Sequence, residues 1–436
     1  MRSKDKLAAV GFSPWEISAL VNQTVLEQHA DNAAFLWFMR DNACRAPNFL
    51  LKDLARLDER LEANLAGLRA AREDGWKLAS LALKHDEPGT VFAAAILAFS
   101  SGDSARIDAV MEAGCANREL ERALISSLGW QPFELVEVPI RRLLQSLVAG
   151  HRLVGIGAFS VNRRDPGLAL REAFTDSDQR VRARAFRAAG ELGKTDLQPF
   201  LDEALTDSDT ACRFWSTWSS ARLGVRTSQI CETLREIVES RSPCSEPALP
   251  MALLCLDLPA AEAWIGRLLD RAHHLRLGAR GAGLLGDPQW IDQLIRLMEN
   301  PQLSRVAGEA FSRITGVDLA YANLSDDKPD DVEVTPNEDP NDENVAMDVD
   351  EGLPWPDQTR VARWWRDHRA DFRNGLRYIA GRLITLQSLT EYLVRGTQRG
   401  RATAALELAL RQPQSPLFEV RARGSVQFEL LNLWTS

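Results

Sequence analysis

The chain has 436 residues, room for two to four domains or for one long repeat array. It is 45% hydrophobic and 26% charged, with 12 Trp against 3 Tyr, which is globular composition with material for a sizeable core. No run approaches roughly 18 uninterrupted apolar residues, which excludes a membrane-spanning helix, and a formal charge of −9 lacks the basic footprint of a nucleic-acid binder.

The opening residues have too short an apolar run before Ser13 and Pro14 to predict a signal peptide. Six Cys (44, 115, 212, 231, 244, 255) without a CxxC pair indicate neither a zinc site nor a disulfide framework. They read as small buried hydrophobes in a reducing compartment, the cytoplasm. Val21 to Arg40 is predicted as a helix ending near Pro47. Residues 48–72 follow as an amphipathic helix with Leu50, Leu54, Leu57, Leu61, Leu65 and Leu68 inward and Arg56, Asp58, Glu59, Arg60 and Glu62 outward. These two form an N-terminal helical cap over residues 1–73, because a terminal repeat must cover its neighbour's apolar face.

Repeats begin near residue 74. Thr175-Asp176-Ser177-Asp178 recurs as Thr206-Asp207-Ser208-Asp209, and Leu192-Gly193 as Leu223-Gly224, both 31 residues on. Leu285-Gly286, Thr315-Gly316, Leu128-Gly129 and Ser101-Gly102 keep the same phase, while Cys255 and Asn162 stand where it expects a glycine. Inside a unit the period is helical. Leu197, Phe200, Leu201 and Leu205 make one stripe; Val181, Ala185, Ala188, Ala189 and Leu192 make another. Asp178 and Asp209 stand where a side-chain oxygen caps the second helix, and the glycine closes it in a left-handed conformation. Each unit is thus helix, Asp-bearing turn, helix, Gly. Such thin pairs must stack to bury their stripes, which predicts an all-α solenoid of roughly eight pairs over 74–323.

Twelve acidic residues and one lysine crowd 326–351, so most of the net charge sits there and the rest of the chain is near neutral. With Pro329, Pro336 and Pro340 and little to bury, 324–353 is predicted as an acidic disordered insert. The closing module, 354–436, carries 13 Arg and no Lys. It has a helical stripe of Val361, Trp364, Trp365, His368 and Phe372. Phe418, Val420 and Ala422, then Val426, Phe428 and Leu430, alternate on either side of Gly424-Ser425, which predicts a small β-hairpin.

Stretches such as Asp178 to Arg182 resemble the short HEAT-like repeats found in phycobilin lyases. Leu26 to Arg45, Asp53 to Ala70 with Gly75-Trp76, Ala404 to Ala409 and Leu417 to Gly424 resemble the two ends of a proteobacterial HEAT-repeat family found near type VI secretion clusters. That resemblance implies a cytoplasmic adaptor or co-chaperone that helps load an effector, and it brings no catalytic motif.

The residues themselves point away from chemistry. No His is followed by Glu, as the His-Glu dyads of the HEAT-like di-iron hydroxylase require, and HExxH is absent. Adjacent helical residues such as His273 and His274 point about 100° apart, which suits half-exposed histidines better than a metal pair. There is no Gly-rich phosphate loop and no GxSxG elbow. Asp176, Asp178, Asp207 and Asp209 repeat every 31 residues and so read as caps or an inter-repeat ladder rather than catalytic carboxylates. No enzyme, cofactor or metal is expected.

Arg180, Arg184 and Arg187 share one face of a second helix, and Trp215 and Trp218 stand 31 residues after Arg184 and Arg187. Arginine beside tryptophan can clamp phosphate and stack bases, but the near-neutral body argues for protein. On second helices lining a concave face, these five residues are the expected partner-binding set, since Trp and Arg dominate interface energetics. In the alternative placement both Trp belong to the core. The function expected is a non-catalytic protein-binding scaffold. The competing reading is an enzyme on a HEAT-like scaffold, a chromophore lyase or a nucleic-acid glycosylase.

Overall fold

The computed structural model describes residues 22–240, 242–329, 332 and 348–435. The chain packs as two compact units. The first takes the described residues to Asn42, then Lys52–Ala169 and Ala422–Ser425; the second takes Ala43–Leu51, Leu170–Arg421 and the residues from Val426. From Glu73 to Thr315 the chain runs as eight helical pairs, the all-α solenoid that the glycine phase predicts.

In the first unit, Gln23–Ala43 and Leu51–Ala70 are followed by three pairs: Glu73–Ala82 with Pro88–Ser101, Ser104–Gly114 with Arg118–Trp130, and Phe133–Leu144 with Ala149–Val161. Pro88–Ser101 is its central element. Every residue from Val91 to Phe99 is buried, so this helix is apolar all round rather than striped. Trp37 stacks on Phe92 at 5.5 Å, and Phe92 meets Trp130 edge-on at 5.7 Å. Leu54, Leu61, Leu65 and Leu68 turn inward as their spacing requires. Asp58 departs from its outward assignment. It is 4% exposed, takes Arg40 Nε at 2.6 Å, and accepts the Gly424 backbone N–H at 2.6 Å. A buried carboxylate is tolerable only when paired in this way.

Five pairs build the second unit, their second helices being Gln179–Glu191, Thr210–Arg222, Ser245–Cys255, Leu275–Leu285 and Pro301–Thr315. The Asp caps form as expected. Asp178 accepts the Arg180 N–H at 2.7 Å and Asp209 the Cys212 N–H at 2.8 Å, while Asp176 and Asp207 close the preceding turns on Asp178 and Asp209. Arg182 and Arg213, again 31 apart, return to the carbonyls of Asp176 and Asp207, and Arg182 also bridges to the Asp207 carboxylate at 3.7 Å. The repeated aspartates are therefore both caps and rungs between repeats.

Gly102, Gly193, Gly224, Gly286 and Gly316 all have positive φ at helix ends. Three positions break the phase. Gly129 lies inside Arg118–Trp130 and caps nothing. After Cys255 the chain leaves directly in an extended conformation, and at Asn162 the left-handed residue is the following Arg163.

The closing module differs most from expectation. Residues 424–435 are a helix, not half of a hairpin. Gly424, Gln427 and Leu431 are buried while Val426 and Leu430 are 43% and 41% exposed, so the buried face follows a period near 3.6 and overrides three alternating pairs. The hairpin of this module lies earlier. Tyr378–Ile379 pairs antiparallel with Arg382–Leu383 across Ala380-Gly381, both at positive φ, as a two-residue primed turn demands. A second ribbon, Ser325–Asp326 with Trp355–Pro356, brings the two ends of the acidic insert together. Asp348 to Leu353, predicted to lack structure, is placed against the unit with Asp350 only 3% exposed; residues 330–331 and 333–347 lie outside the described residues.

Candidate protein-binding face

The five predicted residues do come together, in unequal roles. Asp178 caps the helix that carries three of them, and Arg180, in its first turn, pairs with Asp178 at 3.3 Å in the exposed layer. Arg184 and Arg187, one turn on, converge on Glu191 at 3.1 and 2.7 Å. Glu191 is 6% exposed on its side chain, so Arg184 is drawn down to 12% exposure while Arg187 keeps 40%. The Arg187 guanidinium lies 4.5 Å over the Trp215 ring, and Trp215 meets Trp218 edge-on at 5.6 Å. One layer thus carries Arg187 on Trp215 outward and Trp218 beneath.

Trp218 is core. It is 7% exposed and sits against Gly190, where a Cβ would come within 2.8 Å of its ring. Its position against Gly190 is a packing solution between neighbouring second helices, not an interface anchor. Trp215 is partly buried on the same core. The glycine opposite, Gly190, was the available signal that a large ring must fill that space.

The closing module occupies the ends of the second helices, which the sequence did not disclose. The last carbonyls of a helix lack intrahelical donors, and here the module supplies them. Leu417 N–H donates to Glu191 O at 2.8 Å, Tyr378 N–H to Gly286 O at 2.8 Å, Ala380 N–H to Arg313 O at 2.7 Å and Gly381 N–H to Ile314 O at 3.0 Å. Arg377 Nε reaches Leu285 O at 2.7 Å. Arg222, fully buried, sends its guanidinium to the carbonyls of Pro413 and Ser415. Leu406 and Leu410 of Gln398–Arg411 share the core that holds Phe214 and Trp218. Gly193, Gly224, Gly286 and Gly316 are therefore a docking ledge for the chain's own C-terminal segment: at Gly286 a Cβ would stand 2.3 Å from Tyr378 O.

No group of three or more His, Cys, Asp or Glu able to hold a metal occurs among the described residues. His273 and His274 lie at 4.2 Å, with His274 buried and His273 exposed. No helix among the described residues is long and apolar enough to cross a membrane. No curated protein matches the chain. Residues 168–243, the stretch that carries Arg180, Arg184, Arg187, Trp215 and Trp218, match the family model of HEAT repeats.

Proposed function

We propose that this chain is a non-catalytic scaffold that binds another protein, using Arg180, Arg187 and Trp215 as the outward part of its recognition face. The observation that carries the reading is the Arg187–Trp215 stack within the HEAT-matching stretch. A rigid aromatic half seated on the core, with a cation over its ring, is the kind of pre-ordered group that interfaces favour. HEAT repeats serve commonly as protein-interaction scaffolds, which supports a protein partner rather than nucleic acid or a membrane surface. The finer reading is an adaptor or co-chaperone that works in the bacterial cytoplasm and helps load an effector, an effector chaperone or a secretion component of a type VI system. Its support is the likeness of the chain's two ends to that family.

The test is co-purification of the full chain at moderate salt. A stoichiometric protein partner is expected, weakened about tenfold or more by Arg187→Ala with Trp215→Ala, a loss typical of interface anchors. Retention on heparin with steep salt elution would favour the nucleic-acid enzyme instead.

A further inference from the structure

Arginines from two second helices and the closing module surround one point of the second unit. Arg276 holds Asp350 through both carboxylate oxygens at 2.7 and 2.6 Å, and Arg305 holds Asp348 at 2.5 Å. Arg399 bonds the Val349 carbonyl at 2.5 Å and pairs with Glu309 at 2.9 Å. Arg280 pairs with Glu246 at 2.5 Å. Among the described residues, four cations thus face two carboxylates, Glu246 and Glu309, that belong to the helices themselves. Asp348 and Asp350 of the acidic insert supply the two negative charges that balance them.

Asp348 to Asp350 are held here by arginine side chains. Arg305 also donates to the Asp350 carbonyl at 3.1 Å, and its guanidinium lies 4.3 Å over Trp355. The apolar side chain between the two aspartates, Val349, is 60% exposed. With so little apolar burial, the contact weakens with salt and opens below the unfolding of the helices beneath. Forked Arg–carboxylate pairing, by contrast, sets geometry strongly.

We infer that Arg276, Arg305 and Arg399 form a recognition pocket for an acidic Asp-x-Asp peptide segment of a protein partner, and that Asp348-Val349-Asp350 is the chain's own competing occupant. This rests on the scaffold reading above and names a partner chemistry for it. The partner enters by displacing 348–350, so occupancy is set by competition between two acidic segments.

The probe is a labelled peptide of residues 346–353 (AMDVDEGL), followed by fluorescence anisotropy on the full chain. Asp348→Asn with Asp350→Asn is expected to bind it at least tenfold more tightly than the unaltered chain. Raising the salt weakens that binding, and adding Arg276→Ala abolishes it. In the unaltered chain, saturating peptide accelerates hydrogen exchange of the Leu353 amide, which now donates to the Asp350 carbonyl. This arm stands even if the double variant fails to fold. Equal affinity for both chains, or unchanged Leu353 exchange under saturating peptide, overturns the pocket. Failure of the peptide while a protein partner still co-purifies sinks the pocket alone; peptide binding without any partner sinks the scaffold reading.

Discussion

Trp215 and Trp218 stand three residues apart on one helix, yet their environments separate them. Trp218→Ala removes a ring packed on Gly190 and leaves a cavity, which costs about 3–5 kcal/mol in denaturant unfolding. Trp215→Ala gives up a partly buried ring and one cation–π contact, for roughly 1–2 kcal/mol, and under the proposed scaffold function its main effect is expected in partner affinity. A single titratable residue makes a second case. Burial alone would raise the Glu62 carboxyl, but the Trp130 indole N–H, at 2.7 Å, and the charges of Arg69 and Arg423 outweigh it and hold the group below its ordinary 4.5. Because folding favours the ionised form, this contribution is full above about pH 4.5 and drains away as pH falls through the folded value. Urea titrations at stepped pH should show the unaltered chain more stable than Glu62→Gln near neutrality, with the two curves converging in acid. Parallel curves would mean Glu62 is not held in this way.

At the scale of helices and turns, what could be read in advance was whatever depends on neighbours in sequence. Asp178, Asp209 and the row of glycines were legible because a cap needs a side-chain oxygen beside its own helix and a left-handed residue needs freedom from a Cβ. The C-terminal helix was not. Alternation of Val426, Phe428 and Leu430 matches a strand locally, and only a distant contact corrects it: Gln427, buried, accepts from Arg401 and donates to the Val420 carbonyl at 2.9 Å. Two glycines test how much a helix end owes to its surroundings. Gly102→Ala at φ 70° has open space, so only left-handed strain opposes it, about 1 kcal/mol. Gly286→Ala at φ 84° meets the Tyr378 carbonyl at 2.3 Å and must also lift the hairpin away. Its loss of stability should exceed that of Gly102→Ala at least twofold; equal losses would mean that the hairpin does not press on this helix end.

Over the whole molecule, the solenoid was legible as a period, while its use was not, because docking of the closing module depends on residues about 190 apart in sequence such as Arg222 and Pro413. The module completes orphan carbonyls at the ends of Gln179–Glu191, Leu275–Leu285 and Pro301–Thr315, so these helix ends are sealed by the chain itself, and the recognition face proposed above is confined to Arg180, Arg187 and Trp215. Arg222 is the group on which this sealing can be measured. Its guanidinium is buried and bound to the Pro413 and Ser415 carbonyls, and charge-assisted bonds of this type contribute roughly 1.5–3 kcal/mol each. Arg222→Met keeps much of the apolar volume and removes the donors. It is expected to free residues 413–417 while the helices stay folded, so that the Leu417 amide, bonded to Glu191 O, exchanges with solvent far faster than amides within Gln179–Glu191. If Leu417 stays protected in that variant, the segment is held by its apolar side chains, and the module would remain seated whatever becomes of the arginine.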